Sequence, residues 1–538
     1  MPRFTVPPNF TGTAGSDTIV GEDLNKFPGI GIDILTGGFI YTGLGKDTVK
    51  SNGTGGKGRD GVVGKNINGS EGGAGIGISN NGNLNVGPCD DAIISKGIGG
   101  LGGNGADYEL DFTDSAGGGG GAGTGISNIG KLNTGLGNDT ITGTGIGGNG
   151  ASGSGLFPSG GNGGSGTGIS NSGKLNTGLG NDTITGNGTG GTGNEGRGGG
   201  YGGIGTGISN IGKLNTGLGN DTITGTGIGG TGGDGRPPGD GGFGIGISNT
   251  GQLDTGDGND KITGTGIGGI GGNGQLLAFT IDGAGTGISN NGNLNTGDGN
   301  DTITGTGTGE GAIFAPVGTV TGIINSKKLD TGDGEDTIIG TGTRTGDLSG
   351  NATGIQNMKG ATIATGQGND TITGSGNSSS PNPIAYGISN DGIIDTGNGC
   401  DILTGQATAT IGGTAYGIYG KGTIKTGDGN DKITSTSTIN EVQQKVTIGG
   451  GINIDLGTGN DYFKGFGTGT VDGGKGFDTL DLSAFNRSEL TFSGVISGNT
   501  LNPANISFND NKNVITLSTT GFENFIFADG SLDYSTLV

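Results

Sequence analysis

The sequence contains no histidine and no tryptophan among its 538 residues. Histidine is the side chain that most often exchanges protons near neutral pH, and it is the commonest ligand of transition metals. Tryptophan offers the largest aromatic surface for stacking, for example against a sugar ring. Both absences argue against catalysis, and the sequence predicts a protein that is not an enzyme.

Bulky apolar residues are also scarce. Hydrophobic residues make up 28% of the chain and aromatic residues 5%, whereas 143 residues are glycine. This leaves too little apolar volume for a compact core of the usual kind. Two possibilities remain, namely disorder, or a repetitive fold in which each unit buries a thin apolar stripe against its neighbours. Composition alone favours disorder, but the repeat pattern reverses that expectation.

Other absences limit the partners. No apolar run approaches the ~20 residues of a membrane-spanning helix, and the segment MPRFTVPPNF lacks the basic and apolar parts of a secretory signal peptide. The net charge of −22, from 48 acidic and 26 basic residues, argues against nucleic acid or membrane insertion and suits a cation as ligand. Cys89 and Cys400 lie eight repeats apart, roughly 38 Å at ~4.8 Å per stacked coil, which is too far for an internal disulfide.

The most informative feature present is a repeat centred on an aspartate. The segment TGLGNDTITG occurs around Asp139, Asp182 and Asp221, and close variants of it recur along the chain. Copies aligned on this residue are 30 to 48 residues apart until the last step, which is 17. The aligned residues are Asp17, Asp47, Asp91, Asp139, Asp182, Asp221, Asp260, Asp301, Asp336, Asp370, Asp401, Asp431, Asp461 and Asp478.

Apolar residues keep a fixed distance from this aspartate. One follows it by two residues in every copy, as at Ile141, and another precedes it by seven, as at Leu132. An isoleucine lies thirteen residues before it in most copies, as at Ile126. A disordered chain has no reason to keep three apolar columns in register, so the pattern predicts an all-β fold, a parallel β-solenoid of about 14 coils.

The same pattern predicts the parts of a coil. Short strands such as Thr140 to Thr142 place one isoleucine inward and two threonines outward, and glycine and asparagine turn the corners. Residues 1–480 are predicted to form the repeats, with an N-terminal cap within about 1–20, and residues 481–538 a small C-terminal β cap. Longer coils carry their excess as glycine-rich loops at one corner, for example 147–166. Flexible spacers are the expectation there, and packed glycine helices or a binding surface are the alternatives.

The aspartates are candidate metal ligands. Stacking places the carboxylates in a line one strand spacing apart, where neighbours repel by roughly 0.9 kcal/mol even at the dielectric constant of water. Every available ligand is an oxygen, which favours a hard cation, and an irregular cage rich in carbonyl groups favours Ca²⁺ over Mg²⁺. The alternative is that each aspartate only caps its own turn through an Asx hydrogen bond.

These residues resemble the repeats-in-toxin, or hemolysin-type calcium-binding, family, whose motif is GG-x-G-x-D-x-(apolar)-x. The matching segments are GTGNDYFKG around Asp461, GGKGFDTLD around Asp478, and TGxGNDxIxG in most other copies. The resemblance implies multiple Ca²⁺ ions held by the aspartates and turn carbonyls of adjacent coils, and folding triggered by calcium outside the cell. The chain departs from the family in having one turn per coil, and in having Cys89 and Thr13 in place of motif glycines near Asp91 and Asp17.

Beyond Asp478 the composition changes. The aromatic residues of this part are Phe485, Phe492, Phe508, Phe522, Phe525, Phe527 and Tyr534. They suit a cap over the open end of the solenoid. The final stretch GFENFIFADGSLDYSTLV is similar to the C-termini of repeats-in-toxin proteins exported by type I secretion, which implies an extracellular or cell-surface location.

Together these features predict a secreted calcium-binding protein with a structural or adhesive role at the cell surface or in the extracellular matrix. Its expected partners are calcium and either a surface polysaccharide or further copies of itself. One alternative is a polysaccharide lyase or epimerase built on a β-helix. Another is an ice-binding protein, because paired outward threonines recur, although Lys261, Ile339 and Lys432 interrupt them.

Overall fold

The computed structural model describes residues 3–63, 65, 67–107, 114–274, 281–311, 318–346, 350–494, 504–510 and 513–533. The chain winds into stacked coils whose strands pair in parallel with the coil before and the coil after, which confirms the predicted parallel β-solenoid. Within these residues the helical structure is a 3₁₀ turn, Arg487–Glu489, and no helix is long and apolar enough to cross a membrane.

A typical coil has three strands. In the coil that contains Asp139, the first strand is Gly123–Asn128, the second is Lys131–Asn133 and the third is Thr140–Ile146. The first and second strands of all coils form one parallel sheet, and the third strands form a second sheet that faces it. The turn that contains the aspartate joins the second strand to the third. The glycine-rich insert closes the opposite edge of the coil.

The same plan recurs along the chain. The first strands are Phe4–Val6, Gly29–Ile34, Gly75–Asn80, Gly123–Asn128, Gly166–Asn171, Gly205–Asn210, Gly244–Asn249, Gly285–Asn290, Val320–Asn325, Ala352–Asn357, Ile384–Asn390, Thr414–Tyr419, Ile448–Asp455 and Gly467–Asp472. The second strands are Phe10–Thr13, Phe39–Gly43, Asn83–Asn85, Lys131–Asn133, Lys174–Asn176, Lys213–Asn215, Gln252–Asp254, Asn293–Asn295, Lys328–Asp330, Thr362–Ala364, Ile393–Asp395 and Thr423–Lys425.

The third strands are Thr18–Lys26, Thr48–Gly55, Ala92–Ile98, Thr140–Ile146, Thr183–Thr189, Thr222–Ile228, Lys261–Ile267, Thr302–Gly311, Thr337–Gly346, Thr371–Ser378, Ile402–Ala409, Lys432–Ile439, Tyr462–Lys464 and Thr479–Leu482. A short strand, Val442–Gln443, folds back on the third strand that precedes it.

The core consists of columns of identical side chains. Ile126 pairs with Ile78 on one side and with Ile169 on the other, and the other two apolar columns stack in the same way. Ile126, Leu132 and Ile141 are at most 1% exposed. Each coil thus buries only a thin stripe, but the stripes join into one core along the described length of the solenoid.

The third strand is longer than the sequence pattern indicates. The prediction of a three-residue strand, Thr140 to Thr142, is wrong because the strand continues to Ile146. Its inward positions beyond Ile141 are Gly143 and Gly145, at which the two sheets approach backbone to backbone. A Cβ on Gly143 would lie 2.4 Å from the carbonyl oxygen of Gly168, and one on Gly145 would lie 2.0 Å from that of Thr167.

The described residues of the glycine-rich inserts pack against one another through backbone hydrogen bonds, so the expectation of flexible spacers is wrong for them. Backbone N–H groups three residues apart, those of Gly99, Gly102 and Gly105, donate to carbonyl groups three residues apart in the next coil. Each run of triplets repeats every three residues and forms its hydrogen bonds with other runs, as from Gly118 to Gly103, which is typical of packed polyproline II helices. The inserts therefore agree with the alternative prediction, that of packed glycine-rich helices.

We call this stack of inserts the glycine layer, formed by the described residues within 56–74, 99–122, 147–165, 190–204, 229–243 and 268–284. Each insert leaves the third strand in one arm and returns to the next first strand in a second arm, and these two kinds of arm alternate along the layer. Gly121 donates to Gly100, Gly148 to Gly121 and Gly164 to Gly148, each at 2.8 Å, and the relay continues to Gly283. The third residue of each triplet points to solvent, as Leu101 and Asn104 do.

The C-terminal strands close the stack. Val514–Thr520 and Asn524–Phe527 pair in parallel with the last coil and so add one more layer. The strands Leu490–Ser493, Ala504–Asn509 and Gly530–Asp533 then pair antiparallel with these or with each other. Phe485 packs edge-on against Phe466 and Phe508 beneath them, at centroid distances of 4.9 and 5.0 Å. Tyr534 lies outside the described residues.

The close packing of the glycine layer generates a prediction. A Cβ added at Gly148 would lie 2.0 Å from the carbonyl oxygen of Gly100, and overpacking of this kind costs about 1–3 kcal/mol. We expect Gly148→Ala to speed amide exchange across 99–165, measured by hydrogen–deuterium exchange with mass spectrometry. Gly119→Ala is the control, because its Cβ would meet nothing closer than 3.5 Å. Equal exchange in both variants would contradict the packed arrangement.

Candidate metal centre

The turn before each aspartate is shaped by two glycines in the left-handed region. In the turn from Thr134 to Asp139, Gly135 has φ of 106° and Gly137 has φ of 118°. Cβ atoms at these positions would lie 2.0 Å from the carbonyl oxygen of Gly87 and 2.4 Å from the carbonyl carbon of Cys89. Glycine is therefore required both for the backbone conformation and for the close approach of successive turns. Cys89 adopts φ of 103° at the equivalent place in its own turn.

The turn holds its aspartate inside the solenoid. Thirteen of the fourteen aligned aspartates are at most 2% exposed, and Asp17, in the first coil, is partly exposed. The buried members are Asp47, Asp91, Asp139, Asp182, Asp221, Asp260, Asp301, Asp336, Asp370, Asp401, Asp431, Asp461 and Asp478. We call the fourteen residues the aspartate column.

One carboxylate oxygen of each column member ties two coils together. The backbone N–H of Asp139 donates to Oδ1 of Asp182 at 2.8 Å, and the same bond joins every consecutive pair from Asp17 to Asp478. At the end of the column the N–H of Asp478 donates to Oε2 of Glu523 in the C-terminal cap. These bonds cap the turn of the neighbouring coil, whereas the Asx alternative has each aspartate capping its own turn.

The second carboxylate oxygen has no hydrogen-bond donor in most members. Among the described residues, Oδ2 is buried and without a partner in Asp47, Asp91, Asp139, Asp182, Asp221, Asp260, Asp301, Asp336, Asp370, Asp431, Asp461 and Asp478. The other two differ, since Oδ2 of Asp401 accepts from the Thr396 hydroxyl and Oδ2 of Asp17 accepts from the backbone N–H of Thr13. A buried carboxylate oxygen without a donor is costly, so each of the twelve carboxylates requires a proton or a cation.

Burial raises the pKa of most column members. The pKa of Asp301 rises to about 8, and those of Asp91, Asp370 and Asp461 rise to about 7. The main cause is desolvation, which outweighs the lowering effect of the nearby threonine hydroxyl and of the N–H bound to Oδ1, and neighbouring carboxylates of the column raise the pKa values further. The pKa rises to about 6 in Asp139, Asp260, Asp336, Asp431 and Asp478, and it is also raised in Asp182, Asp221 and Asp401.

The donor set fits calcium in kind. Beside each buried carboxylate, the hydroxyl of a threonine five residues earlier is buried in many coils, as Thr134 is beside Asp139. This hydroxyl donates to the carbonyl oxygen of Thr177 in the next coil at 3.1 Å. These are the hard oxygen ligands that Ca²⁺ prefers. Three or more acidic or thiol side chains do not converge on one point anywhere in the described ranges. Any site in the column therefore depends on backbone and hydroxyl oxygens for most of its ligands.

The stacking of asparagine side chains in two columns was not predicted from the sequence. The first precedes the aspartate by one residue, where Oδ1 of Asn138 accepts the N–H of Asn181 at 2.7 Å, and the bond recurs along the stack. The second lies at the end of the first strand and is fully buried. Its members are Asn80, Asn128, Asn171, Asn210, Asn249, Asn290, Asn325, Asn357 and Asn390, each at most 1% exposed. The signal was an asparagine two residues after the first-strand isoleucine in consecutive copies.

Comparisons with known proteins are sparse. No family model matches the chain, so the resemblance to the repeats-in-toxin family stays a prediction. No curated protein matches it either. Among solved structures, a hyperactive, Ca²⁺-dependent, β-helical antifreeze protein from an Antarctic bacterium is 16% identical, with a TM-score of 0.35 over 98% of this chain and 96% of that one. The assignment of a parallel β-solenoid stands on the strand pairing described above.

The raised pKa values generate a prediction on pH. A folded-state pKa above the unfolded value of about 3.9 means that the folded chain binds more protons, so stability is lost as the pH rises from about 4 to the folded-state pKa of 6 to 8. In a chelator, we expect acidification from pH 8 to pH 5 to raise the thermal midpoint. In saturating calcium the profile is expected to be flatter, because a cation replaces the proton.

Acidification also reduces the net negative charge, and a control separates the two effects. Asp257, Asp298 and Asp333 are exposed and stacked in a neighbouring column. Their replacement by asparagine removes three charges and keeps every buried carboxylate; Asp257 and Asp333 are only minor causes of the raised pKa values of Asp260 and Asp336. We expect the pH slope in chelator to persist in this variant and to shrink when Asp182, Asp221 and Asp260 are replaced by asparagine. A midpoint that falls steadily from pH 8 to pH 5 would contradict the assignment.

Proposed function

We propose that the protein is a secreted, calcium-binding rod with a structural or adhesive role at a cell surface or in an extracellular matrix. The observation that carries this proposal is the column of twelve buried carboxylates, each with one oxygen that no described protein group satisfies. The proposal assigns calcium to the sites beneath these turns. When bound, calcium supplies the positive charge that the buried carboxylates otherwise lack.

The residues of the column act by fixing one coil to the next. Oδ1 holds the turn of the preceding coil, and Oδ2 is left to ligate the cation with turn carbonyls and threonine hydroxyls. Because such a site forms only when successive coils are stacked, binding free energy contributes directly to folding free energy. The sites at Asp17 and Asp401 are expected to be weaker, since their Oδ2 atoms already accept hydrogen bonds.

A location outside the cell is consistent with this chemistry. Extracellular calcium modules work with dissociation constants of roughly 10⁻⁴ to 10⁻³ M, a range suited to sites with one carboxylate per coil. Export through a C-terminal signal rests on the similarity of residues 521–538 to type I secretion signals, and 534–538 lie outside the described residues. The partners that we propose for the rod are a surface polysaccharide or further copies of the protein.

A lyase or epimerase receives less support. Catalytic acids and bases are expected among groups with perturbed pKa values in a cleft that substrate can enter. The column carboxylates with raised pKa values are instead enclosed between the two sheets, where a polysaccharide has no access.

A second candidate, ice binding, has one observation in its favour. The longer third strand presents a further outward residue, so that Thr140, Thr142 and Thr144 lie in three parallel rows. The first two rows continue as threonine into the next two coils, whereas Asn187 interrupts the third. The interruptions at Lys261, Ile339 and Lys432 remain, and outward threonine is common in strands. If the face binds ice, the calcium-loaded protein will show thermal hysteresis, and Thr185→Lys with Thr224→Lys will abolish it. An absence of hysteresis would exclude this function.

The calcium proposal predicts a distinct response to an isosteric change. Replacing Asp182, Asp221 and Asp260 by asparagine keeps an oxygen that can accept the neighbouring N–H but removes the charge. We expect the variant to bind about three fewer calcium ions, by isothermal titration calorimetry, and to gain less stability from calcium. In chelator we expect it to be at least as stable as the parent, because three buried charges are gone.

The matched control is asparagine at Asp257, Asp298 and Asp333, which removes the same charge from exposed positions and is expected to leave calcium stoichiometry unchanged. Circular dichroism provides the complementary measurement, since chelator is expected to reduce the β-sheet signal of the parent protein. Full β structure in chelator, together with unchanged stoichiometry in the column variant, would overturn the proposal.

A further inference from the structure

Three consecutive coils share an outer edge of unusual composition. The segment KLNTGLGND occurs unchanged at 131–139, 174–182 and 213–221. Its outward side chains are a lysine, an asparagine, a leucine and a second asparagine, and its aspartate is buried. The edge of these three coils therefore displays cationic and neutral side chains and no carboxylate, although the protein carries a net charge of −22. We call it the lysine strip.

The three lysines form a straight row. Lys131, Lys174 and Lys213 are direct partners on neighbouring parallel strands, which places them about 4.8 Å apart along the stack. All three side chains are exposed. None is among the ion pairs that the described residues form.

A lysine of the same column elsewhere behaves differently. Lys328 also begins a second strand, and its Nζ lies 2.6 Å from Oδ2 of Asp330, two residues later. In the three coils of the lysine strip the residue two positions later is Asn133, Asn176 or Asn215. The chain thus supplies a local counter-charge at Lys328 and no exposed carboxylate in the second strands of the three coils of the strip.

The fold does not require lysine at these positions. The coils on either side place Asn83, Gln252 and Asn293 in the same column, in the same register. Like charges directly opposite each other on neighbouring strands are destabilising. Three stacked lysines are therefore unfavourable for the stability of the free protein, which points to an anionic ligand outside the chain.

The flanking rows add hydrogen-bonding and apolar surface. Nδ2 of Asn176 donates to Oδ1 of Asn133 at 2.9 Å, so the asparagine row is ordered and presents amide groups beside the lysines. Beyond it, Leu136, Leu179 and Leu218 are 52%, 49% and 52% exposed. The strip thus has a charged row one residue wide, a polar row and an apolar row, all parallel to the axis of the stack.

We propose that the lysine strip binds a linear acidic polysaccharide that carries a carboxylate or sulfate group on successive sugars. This inference rests on the proposed surface role and names its partner. A single chain can follow a narrow row of evenly spaced cations, with hydroxyl groups against the asparagines and apolar sugar faces against the leucines. A broad anionic surface, such as a membrane or duplex DNA, would meet the repulsion of the remaining acidic surface.

The test compares two variants of equal net charge. One replaces Lys131, Lys174 and Lys213 by glutamine. The other replaces Lys359, Lys421 and Lys425, three exposed lysines outside the strip. Binding of fluorescent dextran sulfate is measured by anisotropy in saturating calcium, with neutral dextran as the blank. We expect at least a tenfold weaker affinity in the strip variant and less than a twofold change in the other, with binding of the parent weakened by salt.

A gain of function provides an independent readout. Asn83→Lys extends the row from three lysines to four, and the residue two positions later, Asn85, supplies no counter-charge. We expect it to tighten binding by at least twofold. Equal affinity of both glutamine variants would overturn the proposal, as would an unchanged affinity of the four-lysine variant. Binding of anionic phospholipid vesicles or duplex DNA with the same dependence on the strip would overturn it in favour of that partner.

Failure of this inference is distinguishable from failure of the calcium proposal. The strip variant retains every member of the aspartate column, so its calcium stoichiometry and its calcium-dependent melting are expected to match those of the parent. A strip variant that binds calcium normally and dextran sulfate as tightly as the parent refutes the lysine strip alone.

Discussion

The parallel, in-register stacking of coils is the constraint on which the rest of the structure depends. Because each strand pairs with the equivalent strand of the next coil, every side chain meets a copy of itself or its substitute about 4.8 Å away. A favourable contact is repeated along the solenoid, and so is an unfavourable one. Apolar columns such as that of Ile126 need nothing further. The polar groups of a buried column must form hydrogen bonds with one another or bind a proton or ligand from solution.

The buried asparagine and aspartate columns answer this requirement differently. An asparagine has both a donor and an acceptor, so Nδ2 of Asn128 donates to Oδ1 of Asn171 and to the carbonyl of Lys174, and the column is satisfied internally. An ionised aspartate has acceptors only. Asp182 receives one N–H on Oδ1, and its Oδ2 is left over. Asparagine could accept the same N–H group on Oδ1, and this chain stacks asparagine in another column. Capping of the neighbouring turn therefore does not by itself explain why these residues are aspartates.

The sequence predicts those features of the structure that leave a recurring residue type at a constant spacing. The columns of Leu132, Ile141 and Asp139 could be predicted because each leaves a residue type at a fixed spacing in every copy, and that of Ile126 because isoleucine keeps its spacing in most copies. The coil plan and the candidate ligands followed from them. The burial of the aspartates did not, since a turn motif alone does not show on which side of the backbone the carboxylate lies. The inter-coil bond on Oδ1 depends on that burial.

Order in the glycine-rich inserts was the largest feature that the sequence did not reveal. The N–H of Gly148 finds its acceptor on Gly121, in a different coil, and no side chain marks the pairing. The length of the third strand was missed for a related reason, because Gly143 and Gly145 carry no apolar signal at their inward positions. A glycine that allows two backbones to approach closely can be recognised only when the position of the second backbone is known.

The constraint also decides where the chain is free to vary. Inward positions are fixed by contact with the adjacent coils, so chemical differences along the stack accumulate on outward positions. The second strand shows this most clearly: Leu132, Leu175 and Leu214 are followed in the inward column by Leu253 and Leu294, while the outward residue beside them changes from lysine to glutamine and asparagine. A scaffold of nearly identical coils thereby acquires a distinct surface in each segment, and any partner that discriminates along the solenoid must recognise the outward rows.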